Sequence, residues 1–122
     1  MKNLKWALYA RKSTESEERQ IQSINDQLNF LKEMADRAEL KIVETITESK
    51  SAKDPDKRDG FKKLLSLINS GKVDGILAWK IDRLSRNPID SATIQYYLQK
   101  EKLKCIKTAE RDYLPEDNAL VY

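Results

Sequence analysis

Apolar residues fall into short blocks between longer charged stretches, and their spacing changes from block to block. Trp6-Ala7-Leu8-Tyr9-Ala10 is a continuous apolar and aromatic run and predicts a buried strand. Arg11 to Glu18 is polar and contains Ser13, Thr14 and Ser16, so it reads as a loop with helix-start residues. From about Glu17 to Ala38 the apolar positions are Ile21, Ile24, Leu28, Leu31, Met34 and Ala38. Steps of three and four place them on one face of a long amphipathic helix. Lys41 to Thr47 is rich in β-branched residues and predicts a second strand.

Glu48 to Lys57 is polar and holds Asp54-Pro55-Asp56, a turn signal. Phe61, Leu64, Leu65 and Ile68 then mark a short helix, with Gly71 as its C-terminal cap. Asp74 to Trp79 predicts a third, almost wholly apolar strand, of the kind buried on both faces in a parallel sheet. Asp82 to Asn87 reads as a polar loop, and Asn87-Pro88 supplies an N-cap and a first-turn proline for a helix to about Lys102. Leu103 to Lys107 predicts a fourth strand; Arg111 to Tyr122 shows no clear period. The alternation β-α-β-α-β-α-β predicts an α/β fold: a mostly parallel sheet of four to five strands flanked by helices.

Composition narrows the chemistry. The 122 residues fit one domain, spanning 1–122. No stretch is long and apolar enough to predict a membrane span, and no secretory signal opens the chain. A single cysteine, Cys105, makes no internal disulfide and fits a reducing cytoplasm; in its apolar strand it reads as a core residue. With no histidine, catalysis by Ser-His-Asp or Cys-His and HExxH zinc sites are excluded. Any chemistry falls to Ser, Thr, Tyr, Lys, Arg, carboxylates or an oxygen-liganded metal. The net charge of +3 permits nucleic-acid binding without arguing for it.

Ligands of open α/β sheets bind beyond the carboxyl ends of the strands. The loop after strand one carries Arg11, Lys12, Ser13 and Thr14; the loop after strand three carries Lys80, Asp82, Arg83, Ser85 and Arg86. If those strands are neighbours, Ser13 faces Asp82, Arg83 and Arg86, and Arg58 at the second helix is placed to join them. Guanidiniums match phosphate with forked, fixed-charge donors, and a nearby serine can attack phosphorus. The same arginines also suit solvated loops, paired with neighbouring acids; spacing alone leaves both readings open. Ser70-Gly71-Lys72-Val73 lacks the features of a phosphate loop and reads as a helix cap. Asp54, Asp56 and Asp59 are interleaved with Lys53, Lys57 and Arg58, which favours a charged loop over a metal site. Tyr96-Tyr97 reads as core and interface.

Four motifs then carry a resemblance. Tyr9-Ala10-Arg11-Lys12-Ser13-Thr14 resembles the Y-x-R-x-S-T signature of serine site-specific recombinases, the resolvase/invertase group. Ser23 to Gln27 resembles their S-x-x-x-Q, Arg58-Asp59-Gly60 their R-x-G, and Asp82-Arg83-Leu84-Ser85-Arg86 their D-R-L-x-R. The order matches, and the motifs cover about residues 6 to 108. The longer segment between Ser13 and Ser23 is closer to the large serine recombinases.

The resemblance implies a resolvase-like catalytic domain that cleaves and rejoins DNA through a 5′-phosphoserine intermediate. Ser13 matches the nucleophile; Arg11, Arg58, Arg83 and Arg86 match the arginines on the scissile phosphate. Asp82 matches an acid that orients an arginine or assists proton transfer. Gln27 matches the glutamine on the first helix, with Gln22 as the alternative. Lys12 and Thr14 stand as site neighbours; Glu48 lies near the motifs and receives no role. The family reaction uses neither a metal nor a high-energy cofactor. Its partners are double-stranded DNA and further copies of the enzyme, as homodimers pairing into homotetramers. The chain stops where the family's long interface helix would start, so the expectation is an isolated catalytic domain with little or no activity alone. The competing readings are a metal-dependent nuclease using Asp82 and nearby acids, which a chelator would stop, and a non-catalytic phosphate-binding α/β module.

Overall fold

The computed structural model describes residues 3–11, 24–48, 59–80, 84 and 87–116. These form strands β1 (Lys5–Arg11), β2 (Lys41–Glu48), β3 (Gly75–Ala78), β4 (Cys105–Lys107) and β5 (Asp112–Tyr113). Helices α1 (Ile24–Ala38), α2 (Asp59–Asn69) and α3 (Pro88–Gln99) alternate with the first four strands. The sheet order is β2-β1-β3-β4-β5, parallel except for β5, which runs antiparallel to β4.

The apolar runs of β1 and β3 are continuous because both strands are covered on both faces. Ala7, Tyr9, Ile76, Ala78 and Ile106 face a core completed by Phe61, Leu64 and Ile68 of α2 and Ile94 and Leu98 of α3. Trp6, Leu8, Leu77 and Cys105 face Leu31 and Ala35 of α1 on the other side. Cys105 is therefore a core residue, fully buried. At Trp6 the second layer is tight: a Cβ on the cross-strand partner Gly75 would stand 2.7 Å from the indole, so only glycine fits there.

Helices α1, α2 and α3 end in the same main-chain device. After α2, Gly71 N–H donates to the Ile68 carbonyl (3.1 Å) and Lys72 N–H to that of Leu67 (3.0 Å), with Gly71 at φ +82°. This is a Schellman motif, and it makes Ser70 to Val73 the helix cap its sequence suggested. Glu39 (φ 58°) and Glu101 (φ 59°) hold the equivalent positions after α1 and α3.

Several boundaries differ from the pattern in the chain. Arg11, expected in a loop, is the last residue of β1, because the ladder with β2 continues to the pair Arg11–Glu48. The third helix stops at Gln99 rather than Lys102, since its exit turn runs through Glu101 and takes in the N–H groups of Lys102 and Leu103. Strand β4 accordingly starts at Cys105 rather than Leu103. β5 was not legible: two residues are too few to show a period. The fully buried stripe of α1 is Gln27, Leu31 and Ala35; of the apolar series only Leu31 lies on it, and Leu28 and Met34 flank it, partly buried. Tyr96 is exposed rather than core; Tyr97 packs against the core. The part of the first helix expected over residues 17–23 lies outside the described residues. Among the described residues, no helix is long and apolar enough to cross a membrane.

Candidate active-site edge

The connections set where a ligand would bind. From β1 the chain crosses by α1 to β2 on one side; from β2 it returns by α2 to β3 on the other side of β1. β1 and β3 are neighbours, as the sequence reading required, with Tyr9 opposite Ala78. Where the connections leave two adjacent parallel strands toward opposite sides of the sheet, a crevice opens at their carboxyl ends, the usual ligand position in such sheets. Arg11 ends β1 at this edge, Glu48 ends β2, and Trp79 and Lys80 follow β3.

Of the site residues expected from sequence, Arg11 and Gln27 are described. Arg11 is only 1 % exposed, and strand alternation puts its side chain on the face of Tyr9, Ile46 and Glu48. Gln27, fully buried in the first turns of α1, donates from Nε2 to the Arg11 main-chain carbonyl at 3.1 Å. The two residues are thus brought together through the backbone. Three residues on, Phe30 stacks edge-to-face with Trp79, centroids 4.9 Å apart. Helix α1 is therefore fastened to the ends of both β1 and β3. Ser13, Arg58, Asp82, Arg83 and Arg86 lie outside the described residues, as do Lys12, Thr14 and the alternative Gln22.

Two further residues of this edge carry polar interactions. The Tyr9 hydroxyl donates to Glu48 Oε1, and the Gly60 N–H donates to Glu48 Oε2 at 2.6 Å. Glu48 is 8 % exposed and Tyr9 is fully buried. Tyr9 belongs to the sequence signature, yet its apolar run predicts only a strand. Glu48, expected to open the polar segment after the second strand, is instead the last residue of β2; it shows no local signal, and Tyr9 lies 39 residues away.

The residues flanking the Asp82–Arg86 segment are held firmly. Leu84, inside the motif, is fully buried in the α2/α3 core, a burial worth about 1.5–3 kcal/mol. Asn87 caps α3: its Oδ1 accepts from Asp90 N–H at 2.8 Å, and its Nδ2 donates to Asp90 Oδ2 at 2.9 Å. Both residues are buried, so the cap satisfies polar groups that would otherwise be costly. Among the described residues no cluster of three Cys, Asp or Glu side chains is arranged to hold a metal ion. Asp54 and Asp56 lie outside them.

Comparison with known proteins agrees with this layout. The family model described as "Resolvase, N terminal domain" matches residues 6–121. No curated protein matches the chain. Among solved structures, the chain is similar to the C-terminal catalytic domain of ISC1926 TnpA, an IS607-like serine recombinase. The identity is 26%, over 86% of this chain and 69% of that one, with a TM-score of 0.69. The N-terminal catalytic domain of TP901-1 integrase gives 25% identity, coverage of 87% and 77%, and a TM-score of 0.68. A resolvase family site-specific recombinase from Streptococcus pneumoniae gives 27%, 94% and 78%, and 0.68.

Proposed function

The chain belongs to the resolvase family of serine recombinases, as a catalytic domain, and from that premise we propose that it cuts and rejoins double-stranded DNA through Ser13. The Ser13 hydroxyl oxygen attacks a backbone phosphorus. A serine–phosphate ester forms to the 5′ phosphate at the new strand end, and the bond to the 3′ oxygen cleaves. The serine proton leaves, and the departing oxygen takes up a proton to become a 3′ hydroxyl. Rejoining is the reverse attack by a 3′ hydroxyl on the phosphoserine, so the ester conserves the energy of the cut bond.

Negative charge spreads over the phosphate oxygens during each attack, and positioned guanidiniums stabilise it. Arg11, Arg58, Arg83 and Arg86 take that role, and Asp82 orients an arginine or assists proton transfer. Gln27 acts through the backbone at the end of β1. The observation that carries the reading is the fully buried Arg11 at the β1/β3 switch point. The segments holding Ser13, Arg58 and Asp82–Arg86 all adjoin the same edge in sequence. The partners proposed are duplex DNA and further copies of the protein, as dimers that pair into tetramers.

The test uses the protein that carries this chain, a randomised duplex library and chelator. Covalent protein–DNA adducts recovered after detergent should form without divalent metal, with protein on the 5′ end and an extendable 3′ hydroxyl. Ser13→Ala should abolish them. Adducts that survive Ser13→Ala would remove the nucleophile assignment, and dependence on metal would favour a nuclease.

A further inference from the structure

The turn between β4 and β5 brings another arginine to the edge where Arg11 ends β1. β4 lies beside β3 in parallel, with Leu77 opposite Lys107, so Thr108 to Arg111 stand beyond the carboxyl ends of both strands. The Ala109 N–H donates to the Trp79 carbonyl at 3.1 Å and ties the turn to the residue that follows β3. Thr108, 4 % exposed, fixes the turn from within. Its hydroxyl donates to the Arg111 carbonyl (2.8 Å) and accepts from the N–H groups of Glu110 (3.2 Å) and Arg111 (3.1 Å). The Thr108 N–H donates to the same carbonyl at 3.0 Å.

The arginine side chain is fixed as well. Arg111 is exposed, yet its guanidinium carbon stands 4.6 Å from the centroid of the Tyr113 ring, and its Nε donates to the Asp112 carbonyl at 3.3 Å. Tyr113 is buried in the α2/α3 core, so its ring is a rigid platform. A guanidinium held this way keeps its charge at the surface and has less freedom to lose on meeting a phosphate. Of the acids beside it, Asp112 is paired with Lys107 Nζ at 3.1 Å, and Glu110 is exposed. β4 stands two places from β1, so the ends of these strands are about 10 Å apart along the edge. The Arg111 guanidinium is held over a residue of β5, one strand further out, which keeps it from sharing a phosphate with Arg11. We infer that Arg111 is a DNA-binding residue that takes a backbone phosphate outside the cleaved linkage. The inference rests on the proposed function, in which a duplex is cut at this edge.

The test titrates intact duplex with the full protein in a Ser13→Ala background, on a site located by the adduct that the unaltered protein forms. Adding Arg111→Gln should weaken binding about 5- to 10-fold at about 0.1 M salt and lower the slope of log K against log salt by about 0.9, the counterion release of one phosphate contact. Arg111→Lys keeps the charge and loses the stack; it should keep the slope and weaken binding about 2- to 5-fold. Single neutral methylphosphonate linkages should then locate the contact. At one linkage other than the cleaved one, neutralisation should weaken binding by Ser13→Ala and leave the Arg111→Gln double variant unaffected. With Ser13 present, adduct formation at saturating DNA should stay within about 2-fold in Arg111→Gln. An unchanged salt slope in an Arg111→Gln protein with a normal unfolding midpoint would assign the arginine to the turn alone and overturn the inference. Coupling to the cleaved linkage itself would overturn it too, by moving Arg111 into the scissile site. If the unaltered protein forms no adduct and binds no duplex, the proposed function fails first, and the inference with it.

Discussion

The two edges of the sheet are built differently. At the amino ends of the strands, main chain mostly meets main chain. Asp74 N–H donates to the Lys5 carbonyl (2.9 Å), Lys104 N–H donates to the Asp74 carbonyl (2.8 Å), and α1, α2 and α3 finish in Schellman turns. Side chains add to this edge, as when Lys5 N–H donates to Asp74 Oδ1 at 2.6 Å, but few are buried. At the carboxyl ends, buried side chains reach for the backbone: Gln27 to Arg11, Glu48 to Gly60, Asn87 to Asp90. The first edge tolerates many sequences, because every residue has a backbone. The second specifies particular residues, and it is the edge that adjoins the proposed chemistry.

The contrast predicts that changes at the two edges separate activity from stability. The largest effect should come from Arg11→Lys, which keeps the charge and loses the fork. Adduct formation per folded molecule should fall about 100-fold or more, while urea unfolding loses about 1–3 kcal/mol from the buried site. A normal rate per folded molecule would mean that Arg11 serves the fold alone. Next is Gly75→Ala at the opposite edge, where the new methyl meets Trp6. Urea unfolding should show a loss of about 1–3 kcal/mol, while cleavage per folded molecule stays normal. Gln27→Leu should cost about 1–2 kcal/mol by removing the bond to the Arg11 carbonyl, and should also slow cleavage. A normal rate in that variant would erase the distinction between the edges at α1. Smallest is Glu101→Gly or Glu39→Gly, which relieves a left-handed residue. Each should raise stability by up to about 1 kcal/mol in the same unfolding assay and leave the rate untouched.

The layers of the fold were legible because burial on both faces leaves long apolar runs in β1 and β3, and one-faced burial leaves helical spacing in α2. The N-cap Asn87-Pro88 and the Gly71 stop were legible because each uses a residue with a local reason to be there. Arg11 as strand and β5 as strand were not, since both depend on pairing with distant residues. The site divides the same way. Its motifs stand out within a few residues of chain, while the Tyr9–Glu48–Gly60 link joins three separate elements and leaves no pattern in any of them.

The strand order has a consequence for synthesis. β1 emerges first from the ribosome yet lies between β2 and β3. Its final neighbour is complete only when residue 78 has been made. Until then the run Trp6 to Ala10 has at most β2 beside it and one edge open on the nascent chain, in reach of holding chaperones and of other nascent copies. The strand that places Arg11 is thus made before either of its neighbours and is enclosed only once both exist.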